Sequence, residues 1–136
     1  MTSPPPTSPI PDPDGTTQPE GGRPSLVDWP AFEDEYDGDL AVVERLVATV
    51  IRTRSLDPDK LRAAAASADA DTIRFVAHGL KTVGGLIKCR RLADTAKAAE
   101  LAARDRSGEA PGLAIGLADT LARMLSELSA RFPAVG

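Results

Sequence analysis

An all-α domain follows from three features of the sequence. First, 42% of the 136 residues are apolar, yet only three Phe, one Trp and one Tyr are among them. The core must therefore be built from Leu, Val, Ile and Ala, a composition that favours helices over strands. Second, apolar residues recur every three or four positions, and no stretch alternates with period two. Third, Asp residues and prolines punctuate these stretches where helices start. The expected architecture is an antiparallel four-helix bundle with short connections, preceded by one or two short extra helices.

The elements follow in order. Residues 1–27 read as a disordered leader, with Pro4, Pro5, Pro6, Pro9, Pro11, Pro13, Pro19 and Pro24 among Ser, Thr, Gly and Asp. Such a segment has too little apolar surface to offset the entropy of ordering. The folded domain is expected over 28–136. Asp28-Trp29-Pro30 opens a short acidic helix carrying Phe32 and Tyr36 one turn apart. A second helix starts near Asp39, with Leu40, Val43, Leu46, Val47, Val50 and Ile51 on one side. Asp57-Pro58 ends it and caps a short Ala-rich third helix reaching about Ser67. Asp69 caps a fourth helix over about 70–87, and a fifth covers about 90–103. Residues 107–111 form a loop. A sixth helix runs from about Pro111 to Arg131, with Leu113, Leu117, Leu121, Met124, Leu125, Leu128 and Phe132 as one core stripe.

Composition also narrows function. A net charge of −4 and the lack of a Lys/Arg-rich face argue against nucleic acid as a partner. One Cys and one His cannot assemble an ordinary N/S zinc site, and no internal disulfide can form. No apolar run reaches the ~18–20 residues of a membrane span. The N-terminus has no apolar signal segment. A cytoplasmic, metal-free monomer is the expectation.

The fourth helix carries the chemistry. Ile73, Val76, Ala77, Leu80, Gly84 and Ile87 fall on one side of its wheel, and His78 lies about 150° from their centre. His78 is therefore expected in solvent, with Arg74, Lys81, Thr82 and Gly85 one or two turns away. A neutral imidazole, with an ordinary pKa of ~6.5, is a good nucleophile near pH 7. A nearby ammonium can stabilise a phosphoryl group placed on it. On the wheel alone, a solvated histidine beside a solvated lysine is the favoured reading.

Ala77-His78-Gly79-Leu80-Lys81 resembles the AHxLK core of histidine-containing phosphotransfer (Hpt) domains. Asp69, nine residues before His78, matches the family's helix-opening Asp, and Leu92 its next-helix leucine. Glu100-Leu101 falls near its usual Leu-Glu pair in reversed order. Phe32, Leu40 and Leu46 resemble its opening helices, so the likeness covers about 28–132. The resemblance implies a phosphorelay in two-component signal transduction. His78 would carry the phosphoryl group as a phosphohistidine between aspartates of response-regulator receiver domains, fed by a hybrid histidine kinase. Lys81 and Thr82 would stabilise the phosphoryl group. Mg²⁺ would come with the receiver, and the chain itself needs no cofactor. With no Gly-rich phosphate loop, it would be a phosphocarrier without ATP-dependent kinase activity of its own. Arg74, Phe75, Gly85 and Leu86 are the candidate receiver-docking residues.

Two family glycines are replaced, by Thr82 and by Lys88. Thr82 either crowds the ring or donates its hydroxyl. A left-handed backbone at Lys88 would cost ~1 kcal/mol, so a different turn, or one served by Gly84-Gly85, is expected. These departures leave open a degenerate Hpt-like adaptor or inhibitor that binds a receiver or kinase without transfer. Phe75 either belongs to the docking surface or packs under the first helix. Lys88, Arg90 and Arg91 either steer an acidic partner or solvate a helix start. Cys89 reads as core filling.

Overall fold

The computed structural model describes residues 25–133. These residues form six helices: α1 (Trp29–Glu35), α2 (Leu40–Arg54), α3 (Asp57–Ala66), α4 (Ala70–Leu86), α5 (Arg90–Arg104) and α6 (Ala110–Arg131). No strand occurs among the described residues. The closest packing is α4 on α5; α5 also packs on α6, α6 on α3 and α3 on α4. α2 joins through α6, and α1 rests on α2. Phe32, Leu61, Ile73, Leu80, Ile87, Leu92, Leu117, Leu121, Met124 and Leu128 are fully buried among Val and Ala side chains. The α6 stripe thus faces this chain's own core. Among the described residues, no helix is long and apolar enough to cross a membrane.

The starts of α1, α2 and α4 lie where Asp places them. Asp28 accepts from the Ala31 amide at 3.1 Å and Asp39 from the Val42 amide at 3.3 Å. Asp69 accepts from the Thr72 amide at 3.1 Å and from its hydroxyl at 2.7 Å. The Thr72 hydroxyl, and then its amide, hold the Asp69 carboxyl below its ordinary range. Asp57 corrects the expectation for α3. The cap residue is Leu56, and Asp57 is the first helical residue, nearly inaccessible. Its carboxylate takes Arg54 at 3.2 Å and Lys60 at 3.8 Å. A buried carboxylate must be paired, and that need outranks capping. The loop expected over 107–111 is also shorter, because Ala110 and Pro111 already belong to α6.

The tail expected over 1–27 gives up its last three residues to the fold, while residues 1–24 lie outside the described ones. Val27 is only 2% exposed. The Glu127 carboxylate of α6 accepts from the amides of Leu26 and Val27 at 2.8 and 3.2 Å. It also accepts from the Trp29 indole at 2.8 Å and from the Ser25 hydroxyl. Sequence pattern missed this because the clasp depends on one acid a hundred residues away. Glu127→Ala would leave several half-buried donors unsatisfied, at about 1–3 kcal/mol. The expected result is a lower unfolding midpoint and a changed emission of the sole tryptophan. An unchanged melting curve would show that the clasp contributes nothing.

Four helix ends turn on a left-handed non-glycine residue: Asp37 (φ 55°), Ala68 (φ 53°), Lys88 (φ 58°) and Arg106 (φ 54°). In each, the next amide returns to a carbonyl of the helix, as Asp69 N to Ala64 O at 2.8 Å and Cys89 N to Gly84 O at 2.9 Å. Lys88 therefore adopts the left-handed conformation itself, against the expectation that the turn would avoid it. Its carbonyl accepts from the Asp28 amide at 2.9 Å and its ammonium meets Glu35 at 3.3 Å. The turn is thus fastened to α1, which offsets the backbone strain. Ala68 has no such side-chain interaction to lose, so Ala68→Gly should stabilise the fold by about 0.5–1 kcal/mol. Urea titration would check this, and destabilisation would show that the strain is relieved elsewhere.

Candidate functional site

α4 is held against α5 at unusually short range, and this sets the geometry of the site. Gly84 sits where an added Cβ would meet Ala93 N at 2.6 Å and Ala93 Cα at 2.9 Å. Burial of Ala77 and Leu80 on α4, and of Ala96, Ala99 and Ala103 on α5, completes the seam. Small side chains along it let an acid on α5 reach across to α4.

His78 stands beside this seam, its side chain 67% exposed, as the wheel predicts. Its Nδ1 lies 2.7 Å from Glu100 Oε2, and Lys81 Nζ lies 2.7 Å from Glu100 Oε1. The Glu100 side chain is only 15% exposed. The Lys81 hydrogen bond first, and the His78 hydrogen bond second, hold its carboxyl below the ordinary range. An ionised carboxylate only accepts, so Nδ1 must be the donor. In the neutral ring the Nε2 lone pair is therefore left free.

Glu100 is the site residue that the sequence did not assign a role. It borders the buried stripe of α5, a charged residue directly after buried Ala99, and that position was the available signal. Its importance depends on the register between α4 and α5, which periodicity does not provide. Lys81, expected as a partner of the phosphoryl group, instead has its ammonium on Glu100. To meet an anion on His78 it must share or exchange that bond.

Arg74 and Phe75 line an open groove with Asp71, His78 and Glu100. Asp71 also pairs with exposed Arg106 at 2.9 Å. Phe75 is 81% exposed, so it belongs to the surface and does not pack under α1. Thr82, Gly85 and Leu86 are exposed on the same side of α4 but lie outside the groove. A Cβ at Gly85 would meet nothing within 4 Å. Arg54 was also missed: its guanidinium covers Gly79, 3.1 Å from where a Cβ would stand. Arg90 and Arg91 remain exposed, whereas Lys88 is engaged by Glu35. Cys89 is buried, and burial pushes its thiol pKa up, away from thiolate chemistry.

Acid should dismantle the triad in a definite direction. The Glu100 carboxyl has a folded-state pKa below its unfolded value, so its pairing stabilises the protein fully above the ordinary carboxylate range. That contribution disappears as pH falls through the lowered value. The stability difference between wild type and Glu100→Gln should therefore be largest near neutrality and shrink below about pH 4. Denaturant titrations at several pH values would check it; a difference that grows on acidification would contradict the ion-pair assignment.

No protein-family model, curated protein or solved structure matches the chain.

Proposed function

We propose that this chain is a histidine phosphotransfer protein of a two-component phosphorelay, folded as an Hpt-type bundle and carrying a phosphoryl group on His78. The observation that carries this reading is an exposed imidazole whose Nδ1 is held by a carboxylate, leaving Nε2 free toward solvent. The AHxLK motif and the order of the helices support it. Nε2 attacks the phosphorus of a receiver's aspartyl phosphate, the P–O bond breaks, and the aspartate carboxylate leaves with the electron pair. The reverse step loads the next receiver. Mg²⁺ belongs to the receiver, and a hybrid histidine kinase in the cytoplasm would feed the relay. Arg74 supplies positive charge on the groove, and Phe75, Gly85 and Leu86 offer the approaching receiver apolar or open surface.

One observation favours a second reading, a receiver- or kinase-binding adaptor that does not carry phosphate. Glu100 neutralises Lys81 and places a carboxylate beside the ring where the phosphoryl anion would form. Incubation with phosphorylated receivers separates the two. Acid-labile, base-stable phosphate on the chain is expected from the relay. Tight receiver binding without label would establish the adaptor instead.

A further inference from the structure

We propose that the N-terminal segment 25–35 exchanges between two copies of this chain, giving a domain-swapped dimer hinged at residues 36–39. This exchange does not depend on the phosphotransfer reading and uses none of the groups around His78. Its basis is where the segment finds its partners. Glu127 of α6 accepts from the Leu26 and Val27 amides, the Trp29 indole and the Ser25 hydroxyl. The Asp28 amide donates to the Lys88 carbonyl at 2.9 Å, and Glu35 meets the Lys88 ammonium at 3.3 Å. Glu33 takes Arg131 at 2.7 Å, and the Trp29 ring lies 6.1 Å from that of Phe132. Val27 and Phe32 are buried in the core. These polar and ring partners all lie beyond α2 in the chain, between residues 88 and 132. A second copy offers the same seat, so exchange re-forms each of these contacts between chains. What it gives up is the turn, where the Tyr36 and Gly38 amides return to the Glu33 carbonyl and the Asp37 amide to that of Asp34.

That turn is also under strain. Asp37 (φ 55°) and Gly38 (φ 72°) are consecutive left-handed residues, and both are exposed. The left-handed region is unfavourable for a residue with a side chain, and an opened hinge releases Asp37 from it. Short hinges under strain favour exchange over closure, because the exchanged contacts are identical and the strain is relieved. The turns at Ala68, Lys88 and Arg106 are strained too, but they join helices that each pack on two or more others of the bundle. Exchange there would take the core apart. The segment 25–35 instead sits at one end, against the α4–α5 turn and the last turns of α6.

Size-exclusion chromatography with light scattering, on the full chain refolded over a range of concentrations, tests the exchange. At high concentration wild type should yield a dimer whose Trp29 emission equals the monomer's, since the indole returns to an identical seat. Gly38→Ala penalises the closed turn in both chains and should lower the dimer dissociation constant by about tenfold. Gly38→Pro fixes φ near −65° and keeps Asp37 out of the left-handed region, so only a partner can fill the seat. This variant should be dimeric throughout. Two changes in the Gly38→Pro background locate the interface. Glu127→Ala spoils the seat, and Val27→Arg puts a charge where the segment is buried. Each doubly altered chain should be largely monomeric alone, and an equimolar mixture should recover dimer through one sound segment in one sound seat. A Gly38→Pro chain that stays monomeric, whatever its Trp29 emission, would overturn the exchange. So would a dimer that survives Glu127→Ala and Val27→Arg together, since it would use another surface.

Discussion

Gly84→Ala should destabilise the protein by up to about 2 kcal/mol, although alanine is intrinsically the better helix former. The gain in helix propensity is about 1 kcal/mol. Against it stands a Cβ placed 2.6 Å from Ala93 N and 2.9 Å from its Cα, atoms of a backbone that cannot swing aside. Relief requires α4 and α5 to move apart, and overpacking of this kind typically costs 1–3 kcal/mol or more. The same displacement carries Glu100 away from His78, because their bond spans the same two helices. Denaturant melts should show the loss, and the His78 ¹⁵N resonances should move with it. Gly85→Ala is the internal control. One residue further on, nothing lies within 4 Å of the added Cβ, so this variant should be stabilised by about 0.5–1 kcal/mol. Destabilisation of equal size in both variants would mean that the α4–α5 approach is not what requires Gly84.

His78→Gln should abolish capture of phosphate from phosphorylated receivers while leaving the fold nearly unchanged. The side chain is 67% exposed and contributes little to the core. Exposed substitutions usually change stability by within ~0.5 kcal/mol. Glutamine retains an N–H donor able to meet Glu100, but it has no nucleophilic nitrogen to form an N–P bond. The expected result is a wild-type melting curve and no acid-labile phosphate. Phosphate captured by this variant at the wild-type rate would remove His78 from the mechanism.

The helices were legible because each stage of the sequence points the same way. Asp28, Asp39 and Asp69 accept from amides in the first turns of α1, α2 and α4. The apolar spacing in α4 and α6 foretells which faces are buried, and the same spacing places His78 outside. Asp57 was misassigned because a cap and a buried ion-pair partner are spelled with the same residue. Lys88 was misjudged because its strain is local, whereas the contacts that offset it, to Asp28 and Glu35, are distant.

The sequence by itself determined the helical order, the exposure of His78 and the proximity of Lys81 and Arg74, all consequences of spacing along single helices. Tertiary structure alone decided what the ring is bonded to. Helical periodicity fixes which residues share a face, but the register between two helices is set by the close contact of Gly84 with Ala93. That contact brings Glu100 to both His78 and Lys81, turning an exposed histidine beside a lysine into an imidazole held at Nδ1 by a carboxylate.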